Sequence, residues 1–248
     1  MTISEADLAL LDKFRFDVQP VGVKFLAERP EALDKLAENM AFCEMLKVAM
    51  EGLSFYADVE NHTCPAGAYV LGQVEGEEAF VSGEFGAGLK IFEDRHAASK
   101  LYNYIPTIGR GKVNYVAFSP LHRLAYDPDV LVLLTNTSQA EILLRAMSYK
   151  TGQMWSSKFS SAIGCAWLFV HPYLAGELNY VTTGLGHGIK RRKLFPEGLQ
   201  LISIPSGILV SMLRTLREMP WVLPAYEPDG PEFVRRLLID LGVGPPED

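Results

Sequence analysis

The feature that most constrains the fold is a run of five apolar residues, Val130 to Leu134, directly after the turn Asp127-Pro128-Asp129. A strand that is apolar on both faces must be covered on both faces, as the strands of parallel sheets are. The residues Ser138-Gln139-Ala140-Glu141 that follow fit a capping box, and an apolar stripe continues to Gly152. This strand-then-helix unit predicts a mixed α/β fold with a partly parallel sheet flanked by helices.

Further elements are predicted from the apolar periodicity on either side of this unit. Strands are predicted at residues 21–25, 112–118, 167–170, 177–182 and 199–204, and helices at 1–15, 33–50, 63–72, 205–218 and 232–241. No shift in composition marks a linker, so residues 1–248 are predicted to form a single domain. Residues 1–17 are predicted to be a helical N-terminal extension, and residues 220–248 a C-terminal helix and tail.

Composition excludes several classes of protein. Apolar residues make up 48% of the chain and the formal charge is −7, a balance that is not typical of a disordered chain or of a general nucleic-acid binder. The first residues lack the basic and apolar regions of a secretory signal. The apolar stretch Ala162 to Val170 is far shorter than the ~20 residues that cross a bilayer. We therefore expect a cytoplasmic protein that does not bind membranes or nucleic acids; an oligomer is compatible with the sequence.

Three cysteines, Cys43, Cys64 and Cys165, carry the main chemical information. An odd number of cysteines in a chain without a signal argues against a disulfide framework. Cys64 precedes Pro65 at the expected start of a helix, where the helix dipole favours a thiolate, and a Cys-Pro pair is frequent beside iron–sulfur clusters. There is no C-x-x-C pair, so the residues by themselves leave open that all three thiols are unrelated core residues.

The order of several motifs resembles a known family. A Pro-Val-Gly-Val-Lys-Phe segment is followed by Phe42 to Gly52, by Thr63 to Gly72, by Asp127 to Val130 and by Gly164-Cys165-Ala166. Over about residues 18–218 this order is similar to the uncharacterised bacterial and archaeal family catalogued as domain of unknown function 169. The resemblance implies a cytoplasmic protein without a settled activity.

The family's cysteine contexts imply an iron–sulfur centre, and the matching metal ligands here are Cys43, Cys64 and Cys165. No fourth cysteine occurs near residues 184–188, so a 4Fe-4S cluster on this chain would keep one iron without a protein thiolate. Such an iron can bind a substrate oxygen or sulfur as a Lewis acid. A structural zinc site that adds His62 to the three thiols is an alternative.

A second candidate site is the segment Gly184-Leu185-Gly186-His187-Gly188, which leads into four consecutive cations. Its backbone amides, with Arg191 and Arg192, can cradle an anion. His187 is a candidate general acid and Glu84 a candidate base, and a solvated loop is the plainer alternative. Gly83 to Gly88 lacks the dinucleotide-binding order of glycines and is predicted to be a bulge or hairpin.

Two functional hypotheses follow. In the first, an iron–sulfur protein binds or activates a small anionic or sulfur-containing substrate at its open iron. In the second, a cluster-free accessory protein binds an anionic metabolite at residues 184–193. The sequence does not decide whether the protein is an enzyme.

Overall fold

The computed structural model describes residues 4–244 and contains one six-stranded sheet. The strands are β1 (Val21–Leu26), β2 (Phe55–Ala57), β3 (Tyr115–Pro120), β4 (Val130–Thr135), β5 (Asn179–Thr182) and β6 (Gln200–Pro205). The helices are α1 (Glu5–Asp12), α2 (Phe42–Met50), α3 (Pro65–Val70), α4 (Glu78–Val81), α5 (Glu84–Gly88), α6 (Arg95–Tyr102), α7 (Thr137–Ser148), α8 (His171–Ala175), α9 (His187–Arg191), α10 (Ser206–Glu218) and α11 (Gly230–Asp240). The prediction of a mixed α/β fold flanked by helices is confirmed.

The sheet order is β2-β3-β1-β4-β6-β5, and all of its strand pairs are antiparallel. The prediction of a partly parallel sheet was therefore wrong. Helices cover both faces of this sheet, so its central strands are apolar on both sides, as they would be in a parallel sheet. An apolar run indicates that a strand is buried on both faces. It does not indicate whether the neighbouring strands are parallel or antiparallel to it.

The two faces of the sheet carry separate apolar layers because side chains alternate along each strand. Val130 and Val132 of β4 face one layer, and Leu131 and Leu133 face the other. The first layer includes α2, and we call this side of the sheet the α2 face. The second layer consists mainly of α1, α7 and α10, and we call that side the α7 face.

The capping box of α7 lies two residues earlier than predicted. The Asn136 side chain accepts a hydrogen bond from the Gln139 backbone N–H at 2.9 Å, and the Gln139 side chain accepts one from the Asn136 N–H at 2.9 Å. Ser138 and Glu141 therefore do not form the box. The same capping chemistry operates at a different position, because amides as well as hydroxyls and carboxylates satisfy free N–H groups.

Three local predictions were wrong for physical reasons. Residues 167–170 are helical, because a short buried apolar run fits a helix as well as a strand. Residues 33–41 are outside α2. Gly83 to Gly88 contributes the short helix α5 and not a bulge or hairpin.

The terminal predictions lie partly outside the described residues. The extension predicted over residues 1–17 corresponds to α1, and residues 1–3 lie outside the description. The C-terminal helix is α11, and residues 245–248 of the predicted tail also lie outside. Among residues 4–244, no helix has both the length and the apolar character needed to span a bilayer.

Candidate functional site

A cavity of about 610 Å³ lies among the elements that cover the α2 face. All three cysteines line it: Cys43 from the first turn of α2, Cys64 from the residue before α3, and Cys165 from the residue before a π-helical turn. None of the three is in a disulfide. The fold therefore brings together three thiols that are far apart in the sequence.

Backbone pairing brings the Cys43 and Cys64 segments together. The Met40 N–H donates to the Asn61 carbonyl at 2.9 Å, and the Thr63 N–H donates to the Met40 carbonyl at 3.1 Å. The buried Asn61 side chain also donates to the Leu36 carbonyl at 3.0 Å. Each cysteine follows shortly after this paired stretch, so the pairing places both thiols at the same end of the two helices.

A π-helical turn, Ala166–Val170, follows Cys165 and holds it against α2. The rings of Phe42 and Phe169 lie 4.5 Å apart, and the backbone carbonyl of Trp167 accepts a hydrogen bond from the Asn179 side chain at 2.7 Å. Asn179 is 1% exposed. A π turn leaves carbonyls without their ordinary helical partners, and such turns are frequent at functional sites. Here the amide of β5 supplies a partner.

The glycine-rich loop before α9 lies against the Cys165 segment. The His187 backbone N–H donates to the Ser161 carbonyl at 2.8 Å. A Cβ at Gly186 would lie 3.0 Å from the Phe159 ring, so a larger residue there would force the ring to shift. The predicted loop residues Gly186, His187 and Gly188 line the same cavity as the cysteines. Gly184 does not line it; with a φ of +93° it turns the chain beside Glu197.

Arg191 and Arg192 both line the cavity, but their surroundings differ. The Arg192 Nε lies 3.4 Å from Glu44 Oε1, and its Nη1 donates to the Gly188 carbonyl at 3.3 Å. Arg191 is exposed, and its side chain has no hydrogen bond or ion pair with any residue between 4 and 244. Arg192 is therefore a cation held in place by partners, whereas the charge of Arg191 is available to a ligand.

The thiols interact electrostatically. Burial raises the pKa of Cys43 to about 11 and the pKa of Cys165 well above its ordinary value. The proximity of Cys64 raises the pKa of both thiols, whereas the Arg192 guanidinium lowers the pKa of Cys43. Without a metal, Cys43 and Cys165 are therefore neutral thiols at pH 7.

Two further candidates lie outside the cavity lining. Glu84 is exposed, although its neighbour Phe85 lines the cavity. His62 packs edge-on against Phe42, with ring centroids 5.7 Å apart. Both of its ring nitrogens are buried without a hydrogen-bond partner, and burial lowers the pKa of His62 to about 4.

Within the described chain, no group of three His, Cys, Asp or Glu side chains is arranged to hold a metal ion. His62, the fourth ligand of the zinc alternative, does not line the cavity that Cys43, Cys64 and Cys165 share.

One wall of the cavity was not predicted from the sequence, and we call it the apolar wall. The segment with α4, α5 and α6 contributes apolar side chains to the lining: Phe80, Phe85, Leu89, Ile91, Phe92, Leu101 and Tyr102. The available signal was the concentration of phenylalanine and leucine around Gly83 to Gly88, which no strand or long helix explains. Short helices lack the long periodicity that identifies an amphipathic face.

The model of a protein family described as uncharacterised ArCR, domain of unknown function 169, matches residues 9–215. The chain belongs to this family. The match includes all three cysteines and the loop before α9, and it confirms the resemblance noted over residues 18–218. An uncharacterized protein of Methanocaldococcus jannaschii, MJ0308, is 29% identical over 163 residues, which are 64% of this chain and 70% of that protein. No solved structure matches this member of the uncharacterised ArCR family.

Proposed function

We propose that the protein holds a 4Fe-4S cluster on Cys43, Cys64 and Cys165 and binds a small anionic or sulfur-containing substrate in the adjoining cavity. The observation that supports this proposal is the convergence of three unpaired thiols, from three distant segments, on one cavity. Ligands of one cluster must lie in one part of the fold, and a shared cavity meets that requirement.

The donor set suits a cluster. In a cluster each thiolate binds a different iron, so the sulfurs are spaced up to about 6–7 Å apart, with each only ~2.3 Å from its own metal. Thiols that serve one cluster must therefore lie in one part of the fold, and these three line one cavity. Soft thiolate donors are also the ligands that iron–sulfur clusters require.

One cation beside the thiols favours metal ligation. Thiols must lose their protons to ligate a metal, and the Arg192 guanidinium favours the thiolate of Cys43. Glu44 and the Gly188 carbonyl hold Arg192 in this position. When bound, a cluster with three thiolates supplies one iron that can act as a Lewis acid toward a substrate oxygen or sulfur.

The protein's own residues would then bind and orient the substrate. Arg191 supplies a positive charge at the cavity, and the apolar side chains of α4, α5 and α6 offer a surface for an apolar part of the substrate. His187 lines the cavity at the first residue of α9, where its side chain can donate a proton to a bound anion.

The test is anaerobic purification followed by iron and sulfide analysis and an absorption spectrum. We expect about four irons and four sulfides per chain after reconstitution, with a band near ~400 nm. Single Cys43→Ser, Cys64→Ala and Cys165→Ser variants should lose most of the iron. The control is Lys47→Ala on the exposed side of α2, which should keep it. Fewer than about one iron per reconstituted wild-type chain would refute the proposal.

A cluster-free binder of an anionic metabolite at residues 184–193 is the second candidate. The unpaired Arg191 and the glycine loop in the same cavity favour it, because an anion site there needs no metal. Under this alternative the protein lacks iron, and Cys64→Ala binds the anion as the wild type does.

A further inference from the structure

We propose that the ligand of this cavity is an amphipathic organic carboxylate, whose single negative charge pairs with Arg191 and whose apolar body lies against the wall formed by α4, α5 and α6. The inference rests on the proposed function only in placing the ligand in the same cavity. It names the substrate class of that site.

The charge of the lining sets the charge of the ligand. Two arginines line the cavity, but Arg192 is paired with Glu44, so Arg191 is the unpaired arginine among the described lining residues. A second negative charge on the ligand would lack an unpaired arginine as partner, so a monoanionic carboxylate fits better than a phosphate monoester.

The size and chemistry of the cavity set the rest of the ligand. About 610 Å³ exceeds what an inorganic anion occupies and falls in the range of organic-ligand pockets. Phe85 is 48% exposed and Leu89 is 38% exposed, although both line the cavity. A ligand with an apolar body would remove this surface from water, which is favourable by about 25 cal/mol per Å².

The glycine-rich segment Gly83 to Gly88 builds this wall. Gly83 has a φ of +81°, and a Cβ there would lie 2.2 Å from the Arg95 carbonyl oxygen. A Cβ at Gly86 would lie 3.1 Å from the Phe92 ring. These two glycines let α5 pack directly on α6. On the other side, the Phe85 ring of α5 lies 4.7 Å from the Phe80 ring of α4. The segment therefore forms an apolar wall instead of the phosphate-binding loop that its glycines superficially resemble.

The test compares four probes by calorimetry on the anaerobically purified protein. The probe 4-phenylbutyrate has both the head and the body, 4-phenylbutyramide has no charge, acetate has no body, and phenyl phosphate has a second charge. We expect 4-phenylbutyrate to bind at least about tenfold more tightly than each of the other three. No binding of 4-phenylbutyrate up to about 10 mM, or equal binding of acetate or of the amide, would overturn the inference.

Matched variants identify the two ends of the site. Arg191→Gln should weaken 4-phenylbutyrate binding at least about tenfold. Lys190→Gln removes the neighbouring cation, which pairs with Glu197 at 3.2 Å and does not line the cavity, and it should change binding less than about twofold. Phe85→Ala should weaken the phenyl probe and leave acetate unchanged. Near-ultraviolet circular dichroism checks that each variant is folded, and equal effects of the two cation variants would contradict the assignment.

The same titration on Cys64→Ala, taken together with the iron content of the wild type, separates a failure of this inference from a failure of the proposed function. If the wild type contains no iron but 4-phenylbutyrate still binds through Arg191, the cluster proposal fails and the carboxylate site stands. If iron is present but the four probes bind alike, the cluster stands and the carboxylate site fails.

Discussion

The two faces of the sheet are covered in different ways. The α7 face carries the two longest helices of the described chain, α7 with 12 residues and α10 with 13. The α2 face is covered by short pieces: α2 with 9 residues, α3 with 6, and a π turn with 5. The three cysteines and the cavity belong to this second, irregular cover.

The difference shows how one sheet combines stability with a site. Long helices satisfy their own backbone groups and pack continuous rows of apolar side chains. Short elements leave backbone groups that need partners from elsewhere, such as the Trp167 carbonyl that Asn179 satisfies. They also leave space between their ends. The three thiols lie at the ends of short helical elements and line this space. We therefore expect substitutions on the α7 face to affect stability alone and those on the α2 face to affect the site as well.

The largest expected effect is on the α7 face. Leu143 is fully buried in α7, and Leu143→Ala should lower the free energy of unfolding by about 3 kcal/mol, because it leaves a cavity between α7 and the sheet. Urea denaturation measures the change. The iron content of the folded fraction should equal that of the wild type, and loss of iron in that fraction would break the comparison between the faces.

A buried amide on the α2 face should give the next largest effect. Asn179→Ala leaves the Trp167 and Lys158 carbonyls without their side-chain donor, which should cost about 1–3 kcal/mol. It should also lower iron content under the proposed function, because the π turn beside Cys165 loses its anchor.

The matched variant is Thr215→Val in α10, whose hydroxyl bonds only within its own helix. It should cost less than about 1 kcal/mol and leave iron content unchanged.

The smallest effect concerns the pH dependence of stability. Burial lowers the pKa of His171 in α8, so the unfolded chain binds a proton at a higher pH than the folded chain does. Stability should therefore fall as the pH falls below about 6.5, the ordinary histidine value. His171→Gln should reduce the slope of unfolding free energy against pH in this range, and the remaining slope should come from His62, whose pKa burial lowers to about 4. An unchanged slope would show that protonation of His171 does not contribute.

Much of the fold could be predicted from local pattern. The apolar run at residues 130–134 indicated a strand buried on both faces, and side chains from both faces of β4 are indeed buried. Residues 205–218 indicated the α10 helix to within one residue. Local periodicity is sufficient for such elements because burial on one or two faces repeats along the chain.

Apart from the misplaced capping box of α7, the main wrong predictions depended on distant partners. Strand direction depends on which strands pair, and the conformation of residues 167–170 depends on what satisfies their backbone groups. The apolar wall depends on Gly83 and Gly86, which allow the short helices α5 and α6 to pack on each other. None of these contacts produces a repeating pattern of residues in the sequence.

The sequence alone determined that this chain is a mixed α/β protein with three unpaired thiols, a glycine-rich cationic segment and an acidic overall charge, because these properties belong to residues and to local periods. Only the tertiary structure decided that Cys43, Cys64 and Cys165 share one cavity with Arg191, and that Glu84 and Gly184 lie outside its lining. The physical reason is that chain segments far apart in sequence meet through hydrogen bonds and ring contacts, such as Thr63 with Met40 and Phe42 with Phe169, which no local pattern encodes.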